Sequence, residues 1–155
     1  MTPGERIRGK ALELGFSMAG IAEPEVDHLP FYQEWIRSGF HGEMSYLARA
    51  DALERRGDLG RTLEGVRSVV VVAHEYFQDD AAASSTAGDV PSVDPSQGII
   101  ARYARGADYH RVVKKKLMGL ARWIGDEVQR DVQARAYVNT GPILERDLAR
   151  KAGLG

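Results

Sequence analysis

Four consecutive valines, Val69 to Val72 in "SVVVVAHEYF" (68–77), constrain this chain more than any other stretch. A strand built from them has no polar alternation, so it presents β-branched side chains on both faces. Such a strand is stable only where both faces are covered, as in the middle of an α/β sheet. The apolar run ends at Ala73, far short of the roughly 20 residues that a helix needs to cross a bilayer.

The flanking pattern supplies the covering elements. Thr2-Pro3-Gly4-Glu5 has the form of a capping box with proline in the first turn. It opens a helix with Ile7, Ala11 and Leu14 on one face and Gly15 as its stop. "FSMAGIA" (16–22) predicts a first strand, whose Ala19 and Gly20 permit close backbone approach. "LPFYQEWIRSGF" (29–40) predicts a helix with Phe31 and Trp35, together with Tyr32 and Ile36, facing inward. "GEMSYLAR" (42–49) predicts a further short helix with Met44 and Leu47 on one side.

Beyond the valines, 78–97 is small, acidic and proline-bearing, and predicts a long flexible loop. "GIIARYARG" (98–106) predicts a strand entering a turn, and a long helix follows from Asp108. Its stripe is Val113, Leu117, Leu120, Ile124 and Val128. "ARAYVNT" (134–140) predicts the last strand and 143–152 the last helix. Strands alternate with helices, so the expected fold is one α/β (α+β) domain with a mixed sheet flanked by helices.

Composition removes several functions. The absence of cysteine excludes disulfides, thiolate zinc sites and any iron–sulfur cluster ligated by this chain. The histidines His28, His41, His74 and His110 lack metal-binding spacing, so no metal site is expected. A net charge of −1 argues against a non-specific nucleic-acid coat. The basic residues Arg111, Lys114, Lys115, Lys116 and Arg122, near Arg102 and Arg105, fit either a solvated helix face or a phosphate-contacting patch. The N-terminus has no apolar signal segment, which makes the cytoplasm the expected compartment. Asp108 with His110 fits a catalytic pair or a helix N-cap. Glu145 and Arg146 fit an acid–base pair or, since adjacent helical residues do not face each other, two residues with separate partners, and Glu145 suits the helix dipole.

Three segments carry a resemblance: "HGEMSYLAR" (41–49), "RYARGADYH" (102–110) and "GPILERDLARKAGLG" (141–155), in that order around the valine strand. Together they are similar to the N-terminal domain of the epoxyqueuosine reductases. The resemblance covers essentially the whole chain. It implies a cobalamin-binding domain like that of reductive dehalogenases, incomplete at its C-terminus. Two [4Fe–4S] clusters would lie in a domain beyond Gly155. It further implies a cytoplasmic, mostly monomeric oxidoreductase of queuosine biosynthesis, with no membrane contact. That enzyme acts on epoxyqueuosine at the wobble position of tRNA.

The family's reaction removes an epoxide oxygen, which leaves readily only if it is protonated as the C–O bond breaks. The family carries an aspartate for this in a pattern like Val-Asp-[Ser/Thr]-x-Pro. The matching residue here is Asn139, an amide with no titratable proton. Asn139 also fits a simple turn role ahead of Pro142. The resemblance places Arg49, Tyr103, His110, Asn139 and Thr140 near cobalamin, and Glu145, Arg146 and Lys151 also match family positions. On these grounds the chain alone is expected to be inactive. A stand-alone corrinoid-binding protein without catalysis, or a structural α/β domain, stays open.

Overall fold

The computed structural model describes residues 1–76, 96, 100–104 and 106–155. Apart from Ser96, the loop expected over 78–97 lies outside the described residues. The helices are α1 (Pro3–Glu13), α2 (Leu29–Arg37), α3 (Ala50–Gly57), α4 (Tyr109–Val128) and α5 (Glu145–Lys151). The strands are β1 (Met18–Ala22) and β2 (Val69–Ala73), and short 3-10 turns occupy Ser45–Ala48, Leu59–Arg61 and Arg102–Ala104.

Local chemistry sets the helix ends. The Thr2 hydroxyl accepts the Glu5 N–H at 3.2 Å while the Glu5 carboxylate accepts the Thr2 N–H at 2.6 Å, closing the expected capping box. Asp108 caps α4 by accepting the His110 N–H at 3.0 Å.

β1 and β2 pair antiparallel from Met18↔Ala73 to Ala22↔Val69. Ala19, Val70 and Val72 face the core formed by Ala11 and Phe16 with Val113 and Leu120 of α4. The opposite face meets α5 at Gly20, where a Cβ would stand 2.3 Å from the Ala152 carbonyl oxygen. Helices therefore lie on both faces of the valine strand, as its composition demands. The valines themselves are only half-buried.

The sheet departs from the mixed one expected, because among the described residues it has two antiparallel strands and β2 keeps a free edge. Within 98–106 the described part forms the 3-10 turn Arg102–Ala104, and 134–140 forms no strand. A hollow of about 740 Å³ separates Val66–Val70 from residues 131–137. Ladder hydrogen bonds need strands about 4.8 Å apart, and among the described residues β2 makes no such pairing with this segment. Val138 instead rests on the core, and the Tyr137 ring closes over Gly141.

Two helical expectations also change. The inward face of α2 is Tyr32 and Trp35, stacked with centroids 5.8 Å apart, whereas Phe31 is 72% exposed. "GEMSYLAR" yields a 3-10 turn, and α3 follows without an apolar stripe. The buried side of α3 is Ala52 and Arg56, whose guanidinium lies 4.8 Å over the Tyr32 ring and donates to the Ala52 carbonyl. On α4, Val113 and Leu120 are buried as the stripe predicts, but Val128 is exposed.

One buried carboxylate ties α5 to the loop before α2. Asp147 accepts the backbone N–H groups of Asp27 at 2.6 Å and His28 at 3.0 Å, and lies 2.7 Å from the His28 ring Nδ1. Burial alone would push this carboxyl up. The His28 backbone and ring, the Asp27 N–H and the Arg150 guanidinium outweigh it and hold Asp147 well below the usual carboxylate range.

Candidate functional site

The free edge of β2 borders a groove of about 950 Å³. Its floor is Val69–Val72 with Val113 and Leu117 of α4 and Leu148 of α5, so it wraps the strand edge from one helical layer to the other. Tyrosines form the sides. Tyr103 stands edge-on to Tyr76 at 6.3 Å and to Tyr109 at 6.0 Å, and Tyr137 faces them from the segment before Asn139. Polar groups enter at the rim: His74 and Glu75 after β2, Asn139 and Glu145 opposite.

Asn139 is the node of this rim. Its backbone is left-handed, with φ 42°, a conformation asparagine tolerates better than most residues. Its Oδ1 lies 3.1 Å from His110 Nε2, and its Nδ2 donates to the Tyr109 hydroxyl at 2.8 Å. Its backbone N–H donates to Glu145 Oε1 at 2.9 Å. His110 continues the chain, its Nδ1 lying 2.9 Å from Asp108 Oδ1, and its ring stacks on Tyr109 at 4.0 Å.

Two hydrogen placements satisfy this cluster. With Asp108 and Asn139 Oδ1 both accepting, His110 donates from both ring nitrogens. With the amide turned over, Nδ2 donates to Nε2 and the Tyr109 hydroxyl donates to Oδ1.

The carboxyls at this end differ. The hydrogen bond from the His110 ring, then that from its backbone N–H, holds Asp108 below the usual carboxylate range. Burial pushes Glu145 up, offset only in part by the Asn139 N–H. Glu145 has no cation within salt-bridge distance among the described residues.

The structure thus brings Tyr103 and Asn139 into one groove, reaches His110 through Asn139, and leaves Thr140 exposed beside them. Arg49 is elsewhere, bidentate to Asp51 at 2.9 and 3.0 Å. Asp108 acts both as cap and as partner of the His110 ring. Lys151 pairs with Asp27 at 3.3 Å, while Arg146 is exposed. In the basic run, Lys116 lies over the Phe16 ring at 5.7 Å, and Arg111, Lys114 and Lys115 are exposed. Tyr109 as a site residue and the groove-facing position of Glu145 were not anticipated, although Glu145 was marked in sequence by "PILER" and its first-turn place. No group of three or more His, Asp or Glu among the described residues could hold a metal ion. No helix among them is long and apolar enough to cross a membrane.

Fold and site together define a domain of helices around a two-stranded antiparallel sheet, with a tyrosine-walled groove along the open strand edge. The family model "Epoxyqueuosine reductase QueG, DUF1730" matches residues 56–140, more than half of the chain. The chain belongs to the epoxyqueuosine reductase family. It is 38% identical over 151 residues to the epoxyqueuosine reductase of Vibrio cholerae, covering 97% of this chain and 39% of that protein. With the Gloeobacter violaceus epoxyqueuosine reductase it shares 39% identity over 153 residues, covering 97% of this chain and 43% of the relative. The crystal structure of a selenomethionine-labelled epoxyqueuosine reductase superposes with a TM-score of 0.73 at 25% identity, over 97% of this chain and 38% of that one. The Streptococcus thermophilus epoxyqueuosine reductase shares the fold, with a TM-score of 0.72 at 22% identity, over 97% of this chain and 38% of that one. The chain therefore spans about two fifths of the length of the relatives it matches.

Proposed function

We propose that this chain is the cobalamin-holding part of an epoxyqueuosine reductase, the oxidoreductase that converts epoxyqueuosine to queuosine in tRNA. The observation that carries the reading is the groove. Its floor of valines and leucines suits the apolar face of a flat macrocycle, while Asn139, His74 and the tyrosine hydroxyls at the rim suit its amide-bearing edge. Cobalamin, when bound, supplies a low-valent cobalt able to deliver electrons to the substrate. The chain's own residues bind and orient: the tyrosine rings flank the ligand, and the Asp108–His110–Asn139 series fixes the rim.

The electrons arrive from [4Fe–4S] clusters ligated outside these residues, since this chain has no cysteine. Arg111, Lys114 and Lys115 border a shallow hollow next to the head of α4, where tRNA phosphates would be held. The compartment is the cytoplasm, where tRNA is modified. A second reading, a corrinoid-binding protein without catalysis, is favoured by the amide at position 139.

Titrating the purified chain with hydroxocobalamin tests the shared premise. The expected result is a shifted corrin absorption spectrum that saturates at micromolar to high-micromolar cofactor and weakens when Tyr103 is changed to Ala. An unaltered spectrum, with no heat by calorimetry at the same concentrations, refutes both readings.

A further inference from the structure

We infer that Glu145 is the proton donor of the groove, an inference that rests on the epoxide-reducing reading above. The groove needs an acid, because an alkoxide leaves poorly without a proton. Asn139 cannot serve, and its amide is already committed to His110 and Tyr109. A phenol hydroxyl is a far weaker acid than a carboxylic acid, which leaves the tyrosines as poor donors to an alkoxide leaving group. Glu75 is exposed beyond the end of β2, and the His74 ring is anchored at the Gly15 carbonyl, 3.2 Å away.

Glu145 differs in geometry. Its Oε1 is fixed by the Asn139 N–H, so the carboxyl is held at the rim. Its Oε2 has no partner among the described residues and is free to carry a hydrogen toward the groove. Among the described residues, the titratable groups lining the groove with it are His74, Glu75 and Tyr76 past β2, Tyr103, Tyr109 at the head of α4, and Tyr137. None of these is a permanent cation that would keep the carboxyl ionised, and burial favours its protonated form.

The step balances as follows. Both C–O bonds to the epoxide oxygen break and a C=C bond forms. Two electrons come from a low-potential reductant, which a bound corrinoid would relay. The oxygen leaves as water, taking one proton from Glu145 Oε2 and one from solvent.

The first test needs no cofactor. In the ¹⁵N-labelled chain, the Asn139 amide resonance should titrate with an inflection above the ordinary glutamate value of about 4.3, and Glu145→Gln should abolish it. An inflection at or below that value, or one that persists in Glu145→Gln, overturns the inference. The wild-type titration decides this even if the variant fails to fold.

The second test loads wild type, Glu145→Gln, Glu145→Asp and an exposed control, Glu25→Gln, with cobalamin. Ti(III) citrate is the reductant and cyclopentene oxide the substrate. Alkene yield should fall about 100-fold or more in Glu145→Gln, recover in part in Glu145→Asp and hold in the control, with the corrin spectrum unchanged throughout. Equal yields from wild type and Glu145→Gln, or a wild type no faster than free reduced cobalamin, overturn the role of Glu145. A wild-type spectrum that never shifts overturns the cobalamin reading instead, and the amide titration then judges the carboxyl alone.

Discussion

The Nε2 of His110, in the first turn of α4, lies 3.1 Å from Oδ1 of Asn139, 29 residues further along the chain. That contact joins α4 to the turn before α5. It places an amide, rather than a carboxyl, at the centre of the rim.

Replacing Asn139 separates its two roles. Asn139→Ala removes the bonds to His110 and Tyr109 and leaves a β-carbon in a left-handed backbone, so stability should fall by about 1–3 kcal/mol. Asn139→Gly loses the same bonds without the backbone penalty and should be about 1 kcal/mol less damaging. Urea denaturation of the three proteins at pH 7 checks both expectations.

Asp147 should govern the acid limb of the stability profile. Its folded value is depressed, so its contribution is fully present above the unfolded value of about 4 and is lost as pH falls below it. Asp147→Asn should cost about 1–3 kcal/mol near neutrality, with the gap to wild type narrowing toward pH 3. Denaturation midpoints at pH 7 and pH 3 give the comparison.

Glu145 should show the opposite sign. Its folded value is raised, so it stabilises most below the unfolded value and loses that contribution as pH rises through the folded one. Glu145→Gln, whose amide oxygen can still accept the Asn139 N–H, should gain on wild type as pH rises from 4 to 8. Thermal melting across that range measures the trend.

Gly20→Ala should be among the most damaging small substitutions. The new methyl would meet the carbonyl oxygen and Cβ of Ala152, and backbone cannot yield as a flexible side chain can. A loss of about 1–3 kcal/mol is expected, together with weaker cobalamin binding because α5 must lift. Urea midpoints and corrin absorption report the two effects separately.

Local patterns in the sequence revealed the caps of α1 and α4, both strands of the antiparallel pair and the buried stripe of α4 as far as Ile124. Where a prediction needed a partner distant in sequence, it failed. The alternation in 134–138 resembles a strand, but a strand exists only if a neighbour comes within hydrogen-bonding distance, and a hollow intervenes. α3 was missed because its buried side is an alanine and an arginine, which no apolar periodicity marks. At the site, Asn139 and Tyr103 were recognisable from motif positions, and they do share the groove. The bonds of Asn139 to Tyr109 and His110 span about thirty residues, and Arg49 spends its guanidinium on Asp51. The first leaves no local trace, and the second is a local pairing that motif position does not reveal.

Gly20 gives α5 a fulcrum. The C-terminal end of the helix rests on bare strand backbone, and Glu145 sits about 10 Å away at the other end, at a rise of 1.5 Å per residue. Gly20 adds no side chain of its own to the pivot, so a small tilt of the strand would swing the carboxyl across the mouth of the groove. The width of that opening is thus geared to a residue that never touches it.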